Sequence, residues 1–166
     1  MIMSDGVLLD TSYLIRLLNR NETLHENALG YHEYFLKKAF SLKVSTISIA
    51  EYCVKGDLSD LPMKQLAILP FNINHAAKAG KFAKILFQDK QSIAQKGLPR
   101  VLIPNDAKLL AQAEVETDVI FYVTADTRSK ELIDILRKES SLSFRFIDIH
   151  LPWNKQFGER DLFDQE

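Results

Sequence analysis

The sequence of this 166-residue chain predicts an α/β fold, a three-layer α/β/α sandwich with a mostly parallel central sheet. Short apolar, β-favouring runs alternate along the chain with amphipathic segments of helical spacing. One run, residues 119–123, is apolar throughout, as is typical of a strand buried on both faces. Alternating strands and helices favour a parallel sheet covered by helices on both faces.

The first half of the chain supplies two strand–helix units. Residues 7–9 predict a strand, and apolar residues at helical spacing from Leu14 onward predict a helix directly after it. A long amphipathic helix is expected over residues 21–40. Residues 43–46 predict the second strand, which continues into a helix over residues 47–54 and stops at Gly56.

The second half repeats the alternation. A polar loop at residues 89–100 is expected to be mobile or to face a substrate. Around it we expect a short apolar run at 66–71, helices at 73–88, 107–113 and 129–138, and strands at 119–123 and 144–149. Residues 153–166 are polar and show no clear pattern. The predicted division is one α/β domain at 1–150 and a polar carboxyl-terminal tail at 151–166.

Composition excludes several classes of protein. Cys53 is the only cysteine, so an intramolecular disulfide and a multi-thiolate zinc site are excluded, and we expect a small buried hydrophobe at this position. The four histidines are scattered and are expected to be surface or packing residues. The chain shows no secretory signal and no membrane-spanning run, which predicts a cytoplasmic protein. The net charge of −1 excludes attraction to nucleic acid through bulk charge.

Four acidic residues lie where strands end or helices begin, namely Asp10, Glu51, Asp106 and Asp126. Each aspartate has a structural alternative, because an aspartate before a helix is also a good N-cap. Glu51 lies within an apolar stretch, where a buried unpaired carboxylate is costly, and its alternative is a surface position. The carboxyl ends of parallel strands meet at one edge of a sheet, which is where ligands bind in such folds.

A cluster of these four carboxylates requires positive charge, which either bound protons or a divalent cation can supply. Two carboxylates ~5 Å apart repel by roughly 3 kcal/mol at an effective dielectric constant of about 20, and four multiply the cost. Oxygen ligands favour Mg²⁺ or Mn²⁺ over zinc. Such a site supports phosphoryl chemistry, with a metal-bound water as nucleophile. Ser12 and Thr124 are then expected to orient the carboxylates through their hydroxyl groups.

The acidic motifs resemble those of PIN-domain nucleases. The resemblance rests on four segments that occur in the family's order, Val-Leu-Leu-Asp10-Thr-Ser, Ser48-Ile-Ala-Glu51, Asn105-Asp106-Ala and Val123-Thr124-Ala125-Asp126. It implies a Mg²⁺- or Mn²⁺-dependent endoribonuclease in which the four acids bind the metal. The chain looks most similar to toxins of the VapC type, which implies an RNA substrate, a protein antitoxin and a homodimer. Residues 127–130 lack a further acidic residue that many relatives carry.

Two more hypotheses concern the substrate. A rival to the enzyme is a non-catalytic module of the same fold that binds RNA or a protein partner. The four acids favour the enzyme, because a module that only binds has no need for carboxylates that repel RNA. Arg128 and Lys130 neighbour the proposed acids and are expected to anchor the RNA backbone. Arg100 and Lys108 are further candidates for phosphate contacts.

Overall fold

Five strands form one sheet in which every pair of neighbours is parallel, in the order β3-β2-β1-β4-β5. The computed structural model describes residues 5–89 and 103–158. The strands are β1 (Gly6–Leu9), β2 (Ser41–Ser45), β3 (Ala67–Leu69), β4 (Val119–Thr124) and β5 (Arg145–Asp148). The predicted parallel sheet is therefore confirmed.

Seven α-helices are found within the described residues. They are α1 (Thr11–Leu18), α2 (His25–Lys37), α3 (Thr46–Tyr52), α4 (Ile73–Gln88), α5 (Ile103–Val115), α6 (Thr127–Glu139) and α7 (Trp153–Phe157), with a 3₁₀ turn at Leu58–Asp60. None of the helices in the described ranges has the length and apolar character needed to cross a membrane.

Helices cover both faces of the sheet, because strand side chains alternate between two apolar cores. Leu8 and Tyr122 face a core built with α4, α5 and α6. Val7, Leu9 and Val123 face a second core built with α1 and α2. These two cores give the three layers that the sequence predicts.

The chain changes direction across the sheet at β1. It proceeds from β1 to β2 and β3 on one side, then returns to place β4 and β5 on the other. The crevice above such a switch point is the usual ligand site in parallel sheets. We call the edge where the strands end the carboxyl edge, and the edge where they begin the amino edge.

Most predicted elements are found close to their expected positions, and α4 spans the residues that periodicity predicts. The helix expected at 21–40 is shorter than predicted. Turns closed by hydrogen bonds from Glu22 to Asn19 and from His25 to Glu22 precede α2. The helix ends before Ala39, whose φ of 59° is left-handed. The predicted loop at 89–100 lies almost entirely outside the described residues.

Where the sequence showed no clear pattern, the structure forms α7. The Phe157 ring stacks on Tyr34 of α2 with centroids 4.4 Å apart, and Trp153 stacks on the same tyrosine at 5.4 Å. Trp153 also covers Gly30, where an added Cβ would lie 2.5 Å from the indole Cδ1. Gly30 thus allows α7 to pack closely on α2.

The expectation for Cys53 is wrong. Its side chain is exposed, because it follows the last residue of α3 and lies at the end of the apolar face.

Candidate active site

Three of the four predicted acids follow strands at the carboxyl edge. Asp10 follows β1 and Asp126 follows β4, on either side of the switch point. Glu51 lies in α3, the helix that continues from β2. Asp106 approaches from the first turn of α5, which begins earlier than the sequence predicts. Asp10, Asp126 and Glu51 all lie close enough to Asp106 to act on its charge.

The pKa of Asp106 responds to burial and to the neighbouring acids. Burial raises the pKa of its carboxyl group to about 7, and the negative charges of Asp10, Asp126 and Glu51 contribute to the rise. The positive charge of Arg128 acts in the opposite direction. Near neutral pH the group therefore exchanges its proton readily, or gives it up to a cation.

Asp10 is buried, with 8% of its surface exposed, and two hydroxyl groups orient it. Ser12 Oγ donates to Asp10 Oδ2 at 2.5 Å, and Thr124 Oγ1 donates to the same oxygen at 2.7 Å. Both roles were predicted. The Asp10 side chain makes no capping hydrogen bond to α1, so the N-cap alternative is wrong for this residue.

The same hydroxyl groups also fix the backbone after β4. The Ala125 amide donates to Ser12 Oγ and the Asp126 amide donates to Thr124 Oγ1, each at 2.9 Å. The ends of β1 and β4 are therefore locked together, and this positions Asp10 relative to Asp126.

Glu51 is half-buried and held by a residue whose role the sequence did not reveal. Thr11 Oγ1 donates to Glu51 Oε2 at 2.5 Å, which ties α3 to the start of α1. Glu51 is therefore not a freely exposed surface residue, which was the alternative at this position. The contact joins residues 40 positions apart, so no local sequence pattern indicates it.

Asp126 forms an ion pair with Arg128. Arg128 Nε donates to Oδ1 at 2.9 Å and to Oδ2 at 3.0 Å, and a second guanidinium nitrogen also donates to Oδ2. The Arg128 amide donates to Oδ1, so Asp126 also caps α6, as the structural alternative predicted. Burial would raise the pKa of Asp126, but the hydrogen bonds from Arg128 outweigh it and lower the pKa.

Tyr122 is a further residue that sequence reasoning missed. It is buried, and burial followed by the charges of Asp10 and Asp106 raises its pKa well above the ordinary range. It therefore presents a neutral hydroxyl group beside the carboxylates. The signal was available, because Tyr122 lies two residues before Thr124 and strand side chains two apart share a face.

Two openings flank the acids. A groove of about 590 Å³ runs past Glu51 between α1 and α3. On the side of Asp126, a pocket of about 310 Å³ is bordered by Arg16, Arg128 and His150. An extended ligand that crosses the carboxyl edge has room on both sides of the acids.

The donor set fits a divalent cation by its chemistry. Carboxylate oxygens are the ligands that Mg²⁺ and Mn²⁺ prefer, and a cation among the acids would offset the repulsion that Asp10, Asp126 and Glu51 exert on Asp106. In residues 5–89 and 103–158, however, no three Asp, Glu, His or Cys side chains stand in an arrangement that could hold a metal ion. The Arg128 guanidinium occupies both oxygens of Asp126, and like charges repel one another.

The fold and the acidic site define an α/β/α domain with its functional groups at the switch point of a parallel sheet. The family model for the PIN domain matches residues 7–134, so the chain belongs to the PIN domain family. None of the curated proteins matches the chain.

Two solved structures share the fold. One is the crystal structure of VapBC2 from Rickettsia felis bound to a DNA fragment from their promoter, with 18% identity, 86% of this chain and 97% of that chain covered, and a TM-score of 0.56. The other is the crystal structure of DNA-bound VapBC from Salmonella typhimurium, with 20% identity, coverages of 89% and 99%, and a TM-score of 0.52.

Proposed function

We propose that this chain is a metal-dependent endoribonuclease that hydrolyses RNA phosphodiester bonds, and that it is the toxin of a toxin–antitoxin pair. The observation that carries the proposal is that Asp10, Glu51 and Asp126 lie close enough to Asp106, at the carboxyl edge, to act on its charge. Such a cluster repels RNA unless a cation neutralises it. Membership of the PIN domain family supports the same assignment.

In this proposal the four acids hold Mg²⁺ or Mn²⁺. Bound there, the metal supplies an activated water and stabilises negative charge on the phosphate group. The chain's own residues prepare the ligands. Ser12 and Thr124 hold the Asp10 carboxylate and Thr11 holds Glu51, so that the ligands lose little conformational freedom when the ion binds.

Basic residues beside the acids are proposed to bind the RNA backbone. Arg128 and Lys130 lie in the first turn of α6, next to Asp126, and Lys130 is exposed. Lys108 lies two residues after Asp106 in α5. Arg100 lies outside the described residues. The pocket between Arg16 and Arg128 gives a phosphate group access to this side of the acids.

The proposed partners are a protein antitoxin and a second copy of the chain, in the cytoplasm. The support for an antitoxin is that two of the structural matches are complexes named VapBC. The groove beside Glu51 is lined on both sides by exposed or half-buried apolar residues, which suits a protein segment.

The test is cleavage of a mixed panel of structured RNAs by purified protein with Mg²⁺, Mn²⁺ or a chelator. We expect metal-dependent cutting that falls at least about 100-fold in the Asp10→Asn and Asp106→Asn variants. Asp134→Asn is the matched control, because Asp134 is an exposed aspartate on α6. Cutting that survives in both active-site variants would refute the proposed site.

Two other outcomes have distinct meanings. If the wild type cuts no RNA but binds Mn²⁺ in isothermal titration, the result favours the rival function, a non-catalytic module that binds RNA or protein. If it neither cuts RNA nor binds metal, the carboxylates are structural and the proposed function is wrong.

A further inference from the structure

In the contact between Arg128 and Asp126, a guanidinium group occupies the carboxylate oxygens that a metal cation would otherwise bind. The guanidinium group donates to both carboxylate oxygens, and the ion pair is only partly exposed, at 44% for the arginine side chain and 22% for the aspartate. A carboxylate bound in this bidentate way has its metal-binding oxygens occupied. Arg128 therefore binds the same Asp126 oxygens that the proposed function assigns to a metal ion.

The pair also distinguishes Asp126 from the other three acids. Asp126 is the only member of the cluster that is held by a cationic side chain in the described residues. Asp10 and Glu51 are held by hydroxyl groups, which leave their negative charge in place. One of the four acids is thus neutralised by an ion pair within the part of the chain that the structure describes, and the other three are not.

We propose that Arg128 is an intramolecular competitor of the metal, which holds Asp126 in the metal-free chain and must be displaced when a divalent cation binds. The inference rests on the proposed function and adds a residue that sets the metal affinity. Arg128 lines the same pocket as Arg16 and His150, so a displaced guanidinium would remain beside this pocket. It is then available to a phosphate group, so the metal would control when Arg128 can bind RNA.

The test measures Mn²⁺ affinity by isothermal titration at pH 8, with chelator-treated protein and no RNA. Arg128→Gln should bind Mn²⁺ about five- to tenfold more tightly, because Asp126 is released. Arg128→Lys should lie between the two, because lysine keeps the charge but lacks the planar fork. Adding Asp126→Asn to Arg128→Gln should remove the gain.

Arg16→Gln is the matched control. Arg16 also acts on the charge of Asp126 but donates no hydrogen bond to it. We expect less than a twofold change in its Mn²⁺ affinity. Equal tightening in both glutamine variants would show a general charge effect and overturn the proposal, as would unchanged or weaker binding in Arg128→Gln.

The two proposals fail in different ways. If RNA is cut in a metal-dependent manner but Arg128→Gln does not tighten Mn²⁺ binding, only the competition is wrong. If Arg128→Gln tightens Mn²⁺ binding but no RNA is cut, the competition stands and the nuclease does not. If no variant binds Mn²⁺, both are overturned.

Discussion

At the amino edge of the sheet, the Lys43 ammonium group lies 2.6 Å from an Asp118 carboxylate oxygen, and both side chains are largely buried, with 13% and 17% of their surface exposed. At the carboxyl edge, only one of the four carboxylates in the described residues, that of Asp126, forms an ion pair, and the negative charges of Asp10, Glu51 and Asp126 act on Asp106. In the described residues, the Asp118 carboxylate at the amino edge has a cationic partner, whereas Asp10, Glu51 and Asp106 at the carboxyl edge form no ion pair. The difference indicates where an external cation contributes most.

The largest expected effect is at Asp106. Because the folded state raises the pKa of this group to about 7, folding favours its protonated form. Its contribution to stability is therefore fully present below the pKa of the unfolded chain, about 4, and is lost as the pH rises through 7. Without metal at pH 8, Asp106→Asn should raise the free energy of unfolding by about 2–4 kcal/mol.

Urea denaturation between pH 4 and pH 8 checks this prediction. The gap between Asp106→Asn and wild type should close as the pH falls, whereas Asp134→Asn should stay within about 0.5 kcal/mol of wild type throughout. A gap that does not change with pH would show that Asp106 is not held under charge repulsion.

The same type of substitution should have the opposite sign at the amino edge. Asp118→Asn leaves the Lys43 ammonium group largely buried without its counter-charge, and should lower the free energy of unfolding by about 2 kcal/mol at pH 7. Urea denaturation measures the loss, and adding Lys43→Met should recover part of it. If Asp118→Asn does not lower the free energy of unfolding, the Lys43–Asp118 ion pair does not stabilise the amino edge, and the proposed difference between the two edges is wrong.

A smaller effect is expected from Thr124→Val. Valine fills the same space but cannot donate to Asp10 or accept from the Asp126 amide. We expect Mn²⁺ affinity to fall about tenfold. Thr117→Val is the control, because Thr117 is exposed and precedes β4 at the amino edge. Equal affinities in the two variants would show that Thr124 does not orient the metal ligands.

The smallest expected effect is that of Lys130→Gln on RNA binding. One lost phosphate contact should reduce the slope of log affinity against log salt by about 1. Lys37→Gln, at the exposed end of α2 just before β2, should leave the slope unchanged. If both variants lower it equally, RNA responds to overall charge and not to the carboxyl edge.

The fold was predictable because local patterns determine it. The run at 119–123 and the helical spacing of α4 are visible in the sequence alone, and alternating strands and helices leave few topologies. The positions of Asp10 and Asp126 follow directly, because Asp10 is the first residue after β1 and Asp126 is the second residue after β4. Their roles as metal ligands stay a prediction.

What escaped prediction depends on side-chain orientation and on contacts distant in sequence. Nothing in the residue pattern shows that Arg128 turns back onto Asp126 instead of facing a substrate, because both orientations are open to a residue in the first turn of a helix. The Thr11–Glu51 hydrogen bond joins residues 40 positions apart. Residues 153–157 form a helix because Tyr34 and Gly30 provide a surface for their rings, not because of their own periodicity.

The close approach of Trp153 to Gly30 also has an evolutionary consequence. A glycine inside a helix is less favourable than an alanine by about 1 kcal/mol, but here any larger residue meets the indole ring. The two positions therefore constrain each other: a larger residue at position 30 can strengthen α2 only where position 153 holds a smaller side chain, and a chain with the tryptophan requires the glycine.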